Sequence, residues 1–497
     1  MQRSKKRAVS ALLATLLLAT LIAALPMTAS AAVTATYRLY LGDDGLFYEN
    51  DVYGTDITAE MASEGAVVTG SAGDWILTLT NFDFSSSAST ALSLPGGMTL
   101  TIVLIGTNAV TSTFNGHDNT AGIWVRDFDG DVTITSSTGG SLSLAAGDAT
   151  IDGGSAGIIA YETLTINGNA NVTATGGYAP NMGSEGINTG NLIINESANV
   201  TATGGEAPYS NGIFGARSIT VGDSATVSGI GGTATDSSTG IYLNDSLSIS
   251  ENASVTVSGG TAGGASGGES IGLNFSVTKI NMTGGSLTAS GNDSAISKIT
   301  APTTGKDYTV PDGHLYWVNT SNADPGGSGT ESDGSFVVER LTYKFVRLEY
   351  GTPTPKLTAG AVNRTSNSNA TVKFTSNIAG NFYYRVDGIV PDEGELIDIE
   401  ENETAMVAGV NTITLSGLSA GVHTIYIEAF GNDKESNLLT IIIPAFTPGS
   451  SSSSSSSSTS TVPKTGDDTN MTSWGVALAL SVMCVCALPV AKKRFTK

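Results

Sequence analysis

The stretch Arg126-Asp127-Phe128-Asp129-Gly130-Asp131 is where carboxylates alternate beside a cation. Asp127, Asp129 and Asp131 in a turn could offer oxygen ligands to a hard cation such as calcium, with Arg126 as a base. The stretch lacks the later glutamate and the glycine placement of a calcium loop, and a solvated acidic turn is the competing reading. A second set is aromatic and amide in character. Trp124, Ile159, Asn188, Phe214, Tyr242 and Asn274 each follow a Gly-apolar pair, from Gly122-Ile123 to Gly272-Leu273. If the apolar residue of each pair points into a core, the next residue points out, and the six form one row. Aromatic faces suit the apolar faces of sugar rings, and asparagine amides suit hydroxyls. Tyr178 and Tyr209, in neighbouring loops of successive repeats, could widen the platform; loops or caps folding over the row are the alternative. No His-Asp-Ser order and no metal-spaced histidine pair is readable. His314, His423 and the nine methionines carry no signal beyond core or surface roles. Cys484 and Cys486, the only cysteines, lie in a C-terminal apolar run, so the exposed body has no disulfide, thiolate nucleophile or Cys-based zinc site.

The elements that must position these residues come from a repeat. Leu164–Val172, Leu192–Val200, Ile219–Val227 and Leu247–Val255 align with starts 28, 27 and 28 residues apart. Each block closes on a Gly-Gly pair: Gly176-Gly177, Gly204-Gly205, Gly231-Gly232 and Gly259-Gly260. Weaker copies occupy Val132–Leu144 and Ile280–Ala289. Every repeat holds three short runs of period-two alternation and none with helical spacing. Strands too short to bury their apolar faces alone must stack coil on coil, which predicts an all-β chain built around a parallel β-helix. Parallel crossovers favour the right hand, so a right-handed, single-stranded helix is expected. The predicted inward stacks are Ile123/Ile158/Ile187/Ile213/Ile241, Leu164/Leu192/Ile219/Leu247 and Val172/Val200/Val227/Val255, with Ala170, Ala198, Ala225 and Ala253 at a tight corner. Trp75–Leu79 and Leu100–Leu104 read as irregular first coils, Ala32–Asp74 as an N-terminal cap, and the run Phe336–Tyr350 as the closing end.

From Pro353 the pattern changes. Alternating runs at Ala370–Phe374, Phe382–Val386, Asn411–Leu415, His423–Ala429 and Leu438–Ile443 predict a small β-sandwich. With Gly417-Leu418-Ser419-Ala420-Gly421 ahead of the Tyr426 strand, this part resembles the fibronectin type III and Ig-like modules of bacterial surface proteins. The expected domains are 1–31, 32–350, 351–446, 447–461 and 462–497: leader, capped β-helix, sandwich, Ser-rich linker and C-terminal signal.

The two ends speak to export. Basic Arg3–Arg7, apolar Ala11–Leu25 and the small-residue site Ala29-Ser30-Ala31 predict a secretory signal peptide. At the C-terminus, Val462-Pro463-Lys464-Thr465-Gly466 precedes the apolar Trp474–Ala491, long enough to cross a bilayer, and then Lys492-Lys493-Arg494. The combination resembles the LPXTG-type cell-wall sorting signal of Gram-positive surface proteins, with Val462 where the commonest motif has Leu. The resemblance implies that a sortase cuts between Thr465 and Gly466 and passes Thr465 to peptidoglycan, after the precursor has paused in the cell membrane.

Charge narrows the partners. Without the leader and the tail, 15 basic residues face 43 acidic ones, about −28, which excludes nucleic acid. A parallel β-helix resembles pectate lyases and polygalacturonases, which work with calcium-holding Asp clusters or paired Asp acids. Between Trp75 and Ala301, however, the basic residues are only Arg126, Arg217, Lys279 and Lys298, and His117 is the sole histidine. The expectation is a wall-attached adhesin or polysaccharide-binding protein using the ladder face, with glycan or a host-surface ligand as partner and no cofactor beyond a possible calcium. The alternatives are a polysaccharide lyase or hydrolase centred on Arg126–Asp131, and a passive spacer.

Overall fold

The computed structural model describes residues 32–447 apart from 72, 127–129, 216, 264–266, 276–278, 299–307, 340–341 and 393. The described chain is nearly all β, with short helices at Thr58–Ser63 and Glu395–Asp398. Most of it is a parallel β-solenoid of about seven coils.

Three parallel ladders run its length. The first stacks Thr90–Leu94, Thr120–Val125, the start of Ser155–Gly168, the start of Gly183–Ile194, Ala207–Gly215, Ala234–Leu243, Glu269–Phe275 and Ser294–Lys298. The second runs from Asp74–Thr80 through Thr99–Ile105 and Val132–Ser136 to Lys279–Met282. The third runs from Val33–Ala35 to Ser286–Ser290. Pairing keeps like on like: Ile158 lies beside Ile187, Leu164 beside Leu192, and Val172 beside Val200. These stacks are closed to solvent, Ile123, Ile158, Ile187, Ile213 and Ile241 all at 0% exposure. Like side chains repeating at the strand spacing fill a narrow interior coil after coil. Two features depart from the expected pattern. Ser155–Gly168 and Gly183–Ile194 are continuous strands that turn from the first ladder into the second, with a register shift between Ala160 and Thr163 in the first of them. The runs at 75–79 and 100–104 are not irregular: Leu77, Ile102, Ile134 and Ile166 form one unbroken inward column.

A second repeating device ties one corner. The first ladder carries an inward column of Ser155, Ser184, Ser210, Ser238 and Ser270. The Ser184 hydroxyl donates to the Gly177 carbonyl at 2.8 Å and accepts from Gly205 N–H at 2.9 Å, joining two coils. Ser210 and Ser238 repeat the bridge to Gly205 and Gly232, then to Gly232 and Gly260. The Gly-Gly pairs follow from this: a Cβ on Gly204 would overlap the Ser210 hydroxyl, and one on Gly205 the Gly177 carbonyl. Only glycine admits backbone this close.

Both open ends are covered. At the N-terminus Leu39–Leu41 pairs with Leu92 and Ser93 and folds back on Phe47–Glu49, while helix Thr58–Ser63 buries Met61 beneath Ala66–Ser71. At the other end the antiparallel strand Phe345–Glu349 pairs with Ser286–Ser290 and is itself paired with Leu315–Asn319. The antiparallel strand ends the third ladder of the parallel stack.

Beyond Leu357 two antiparallel sheets face each other. One holds Leu357–Arg364, Ala370–Ser376 and Gly409–Leu415; the other holds Gly380–Val386, Thr404–Met406, His423–Gly431, Lys434–Glu435 and Leu439–Ile443. Val372, Phe374, Phe382, Ile425 and Ile427 form their shared core, with Phe374 edge-on to Phe382 at 5.0 Å. Glu331 of the capping region reaches this unit: its carboxylate accepts from Thr354 N–H and hydroxyl and from Lys434 Nζ at 3.2 Å. No helix among the described residues is long and apolar enough to cross a membrane.

Candidate functional site

Inward isoleucines force their successors outward, and the first ladder stacks those successors in register. Ser93, Trp124, Ile159, Asn188, Phe214, Tyr242, Asn274 and Ser297 are consecutive neighbours across the strands. Phe214 and Tyr242 stack on each other with nearly parallel rings, 5.4 Å between centroids and 5° between planes. Trp124, Asn188, Phe214 and Tyr242 are half-buried. Ile159 and Asn274 are closed to solvent at 7% and 6%, so the row is open in its middle and at Trp124 rather than along its whole length. Ile159 is covered because it packs with Ala121, Ala156, Trp124 and Tyr161.

Beside this row runs a parallel column of earlier positions on the same strands: Ala121, Ala156, Glu185, Asn211, Thr239. Small residues at Ala156, Gly154 and Gly183 leave a groove of about 200 Å³ between the two columns, lined also by Trp124, Tyr161, Met182, Glu185 and Asn188. Glu185 is the one carboxylate of that lining. Burial pushes its carboxyl up to about 7, against the side-chain hydrogen bonds of Asn211 and Asn188 that favour the ionised form. Burial, and then the charge of Glu185, also raise the Tyr161 phenol above its ordinary value. A carboxyl raised by burial in a half-enclosed groove beside Trp124 and Tyr161 makes Glu185 the candidate functional group of this face. Sequence reasoning missed Glu185. The available signal was its column, where Ala, Ala, Asn and Thr occupy the equivalent positions of other coils.

The remaining sequence candidates lie elsewhere. Tyr209 belongs to the first ladder, beside Gly183 and Ser237, and is 56% exposed. Tyr178 sits at the corner, its carbonyl accepting from Ala149 N–H and its own N–H donating to Asp148, so the two tyrosines stand in different columns and not on one platform. Arg126 is committed to the N-terminal cap: its guanidinium donates to the Leu41 and Leu94 carbonyls at 2.6 and 3.0 Å and lies 3.8 Å over the Tyr40 ring. This corrects its reading as a base, because a guanidinium engaged by two carbonyls and a ring is not available to turn toward a substrate. Asp131 is exposed, and its carbonyl accepts from Leu100 N–H. Asp127 and Asp129 lie outside the described residues, as do Val462, Pro463, Lys464, Thr465 and Gly466.

A Ser-His-Asp arrangement that the sequence reading did not find occurs in the sandwich. His423 Nδ1 is 2.5 Å from Asp387 Oδ2, and its Nε2 is 3.1 Å from Ser419 Oγ. The three come from separate elements, so no order or spacing announces them. The same Nε2 is 3.0 Å from the Ser419 carbonyl oxygen. The hydrogen bond to Asp387, then that to the Ser419 carbonyl, raise the His423 pKa above the ordinary imidazole value. Nε2 is shared with the Ser419 carbonyl oxygen, and Ser419 stands in an exposed turn whose carbonyls are held by Arg364. The arrangement clamps the 417–421 turn to the turn after Val386.

No protein-family model matches the chain, and no curated protein sequence matches it. Among solved structures the chain is similar to the chitinase ChiW of Paenibacillus sp. strain FPU-7, described as a bacterial cell-surface-expressed multi-modular enzyme. Identity is 12% over 69% of this chain and 24% of that one, with a TM-score of 0.15. The chain thus spans about a quarter of that enzyme's length, and the likeness carries no functional argument.

Proposed function

We propose that this protein is an exported glycan-binding protein that uses the first-ladder face of its β-solenoid to hold polysaccharide. The observation that supports this best is the in-register row Trp124, Asn188, Phe214 and Tyr242 with a groove opening beside it. Sugar rings offer apolar faces and hydroxyl edges, which half-exposed aromatic side chains and neighbouring amides match, and strand spacing repeats both chemistries along a chain-like ligand. Hydrolysis is the weaker reading: a two-carboxylate mechanism needs a partner acid about 5–9.5 Å from the first, and Glu185 stands alone in the described groove lining. The chain ends complete the proposal. The leader directs export, a sortase joins Thr465 to peptidoglycan, and the sandwich and Ser-rich segment hold the solenoid off the wall.

Two experiments test it. Co-sedimentation of the full-length protein, in mild detergent, with insoluble plant, mucin and bacterial polysaccharides is expected to deplete it on one glycan class; recovery in the supernatant with every polysaccharide contradicts the binding role. For anchoring, Thr465→Ala should release the protein from the covalent wall fraction, and wall attachment that survives the change rules out the sorting assignment.

A further inference from the structure

We propose that the groove beside Trp124 is a subsite for an ammonium-bearing sugar, a hexosamine with a free amino group, whose charge is received by Glu185. The inference rests on the glycan-binding reading of the same face and names what kind of glycan it selects.

Four observations lead there. Glu185 is the only charged side chain of the groove, and no Lys or Arg stands among the lining residues. The described arginines on this stretch of the solenoid are already engaged, Arg126 by the cap and Arg217 by Glu162 in a two-fold pairing at 2.8 and 3.1 Å. The hydrogen-bond partners of Glu185, Asn188 and Asn211, are neutral amides, which orient a carboxylate without balancing its charge. The walls around it include two aromatic side chains, Trp124 and Tyr161, and the polarisable thioether of Met182.

A carboxylate withdrawn from water without a counter-cation is costly for the free protein, which is why the group holds its proton to about pH 7. A ligand that brings a cation removes that penalty and gains the aromatic faces as well, because π clouds attract ammonium groups. A neutral sugar gains only the ring contact and the hydrogen bonds. The volume, about 200 Å³, suits one ring rather than an extended chain, so the groove would select a residue while the Phe214–Tyr242 pair holds its neighbours. Glycine at 183 is part of the design: a Cβ there would overlap a Glu185 carboxylate oxygen.

The test is isothermal titration of the full-length protein, at pH 7, with a β-linked glucosamine trimer and with its N-acetylated counterpart. An ordinary amine is still mainly cationic there. The glucosamine trimer should bind at least about tenfold more tightly, and Glu185→Gln, which keeps the size and one acceptor oxygen but removes the charge, should bring the two affinities within about twofold. A trimethylammonium-substituted trimer, whose charge does not titrate, should bind about tenfold more tightly at pH 8 than at pH 6, following ionisation of a group near 7. Equal affinities for the first two trimers in the unmodified protein, or a preference that survives Glu185→Gln, overturns the subsite. If both trimers bind equally and Phe214→Ala with Tyr242→Ala abolishes both, the subsite is wrong while the binding face stands. If neither trimer binds, the subsite falls, and the co-sedimentation panel decides the binding face separately. A tighter glucosamine trimer that is indifferent to Phe214→Ala with Tyr242→Ala keeps the subsite and removes the row.

Discussion

Ser184 shows how one hydroxyl can hold two coils of a solenoid together. It is fully buried, donates to Gly177 and accepts from Gly205. Ser184→Ala would leave the part-buried Gly177 carbonyl and Gly205 N–H without this partner, a cost of about 1–3 kcal/mol. Because stacked coils open locally, the direct readout is hydrogen exchange at the Gly205 amide, which should accelerate roughly 5- to 150-fold while amides two coils away keep their rates. His423 and Asp387 make a second residue-scale case, one that depends on pH. The Asp387 carboxyl is held below 3.8, first by its hydrogen bond to His423, and the imidazole is held above 6.5. The Asp387 contribution is present above its unfolded value and lost as pH falls through the lowered one. The His423 contribution is present below 6.5 and lost as pH rises through the raised one. The clamp on the 417–421 turn is therefore strongest between about pH 4 and 6.5 and weakens in mildly alkaline solution. An NMR titration of the His423 ring should give a midpoint above 6.5, and Asp387→Asn should lower it; a midpoint that ignores the substitution contradicts the clamp.

At the scale of the strand, adjacent residues on opposite faces should behave oppositely. Ile213 is at 0% exposure in the core, whereas Phe214 is half-buried on the outer face against Tyr242. Ile213→Ala should cost about 2–5 kcal/mol, and Phe214→Ala only the ring pairing, about 0.5–1.5 kcal/mol. Urea unfolding of the two variants checks the ranking, and a reversed order would mean that the register is shifted by one residue. This alternation is what makes the solenoid legible in the amino-acid sequence: Leu164, Leu192, Ile219 and Leu247 recur at a nearly fixed interval because each must lie on the last. The sandwich is only partly legible there. Leu357–Arg364 is exposed along most of its length and so shows no inward alternation, and Thr404–Met406 is too short to carry a pattern. Glu185 stands out in the sequence only as the carboxylate in a column of Ala, Asn and Thr, which does not by itself mark a site. Its neighbours in space, Trp124, Tyr161 and Asn211, come from other strands, and only the strand register brings them to one groove. The serine bridges are hidden for the same reason, although the Gly-Gly pairs they require stand out.

As a whole molecule the protein is a rod closed at both ends, with Arg126 fastening the first cap and an antiparallel strand closing the last coil. Glu331 and Lys434 join that closing region to the sandwich. Burial of Glu331 works against its charge, but hydrogen bonds from Thr354 and Lys434 hold its carboxyl below the ordinary value, as a joint formed by an ionised group requires. Closed ends leave the flanks of the rod as the surfaces on which repeated chemistry can meet a repeated ligand. On one of those flanks, the outer row of the first ladder is the surface proposed to meet glycan. The most direct test is the affinity of a variant carrying Trp124→Ala, Phe214→Ala and Tyr242→Ala for the polysaccharide that depletes the unmodified protein, with far-UV circular dichroism to verify that the coils remain folded. A glycan-binding row predicts at least a tenfold loss of affinity on a folded solenoid. Unchanged affinity on that folded variant would contradict it.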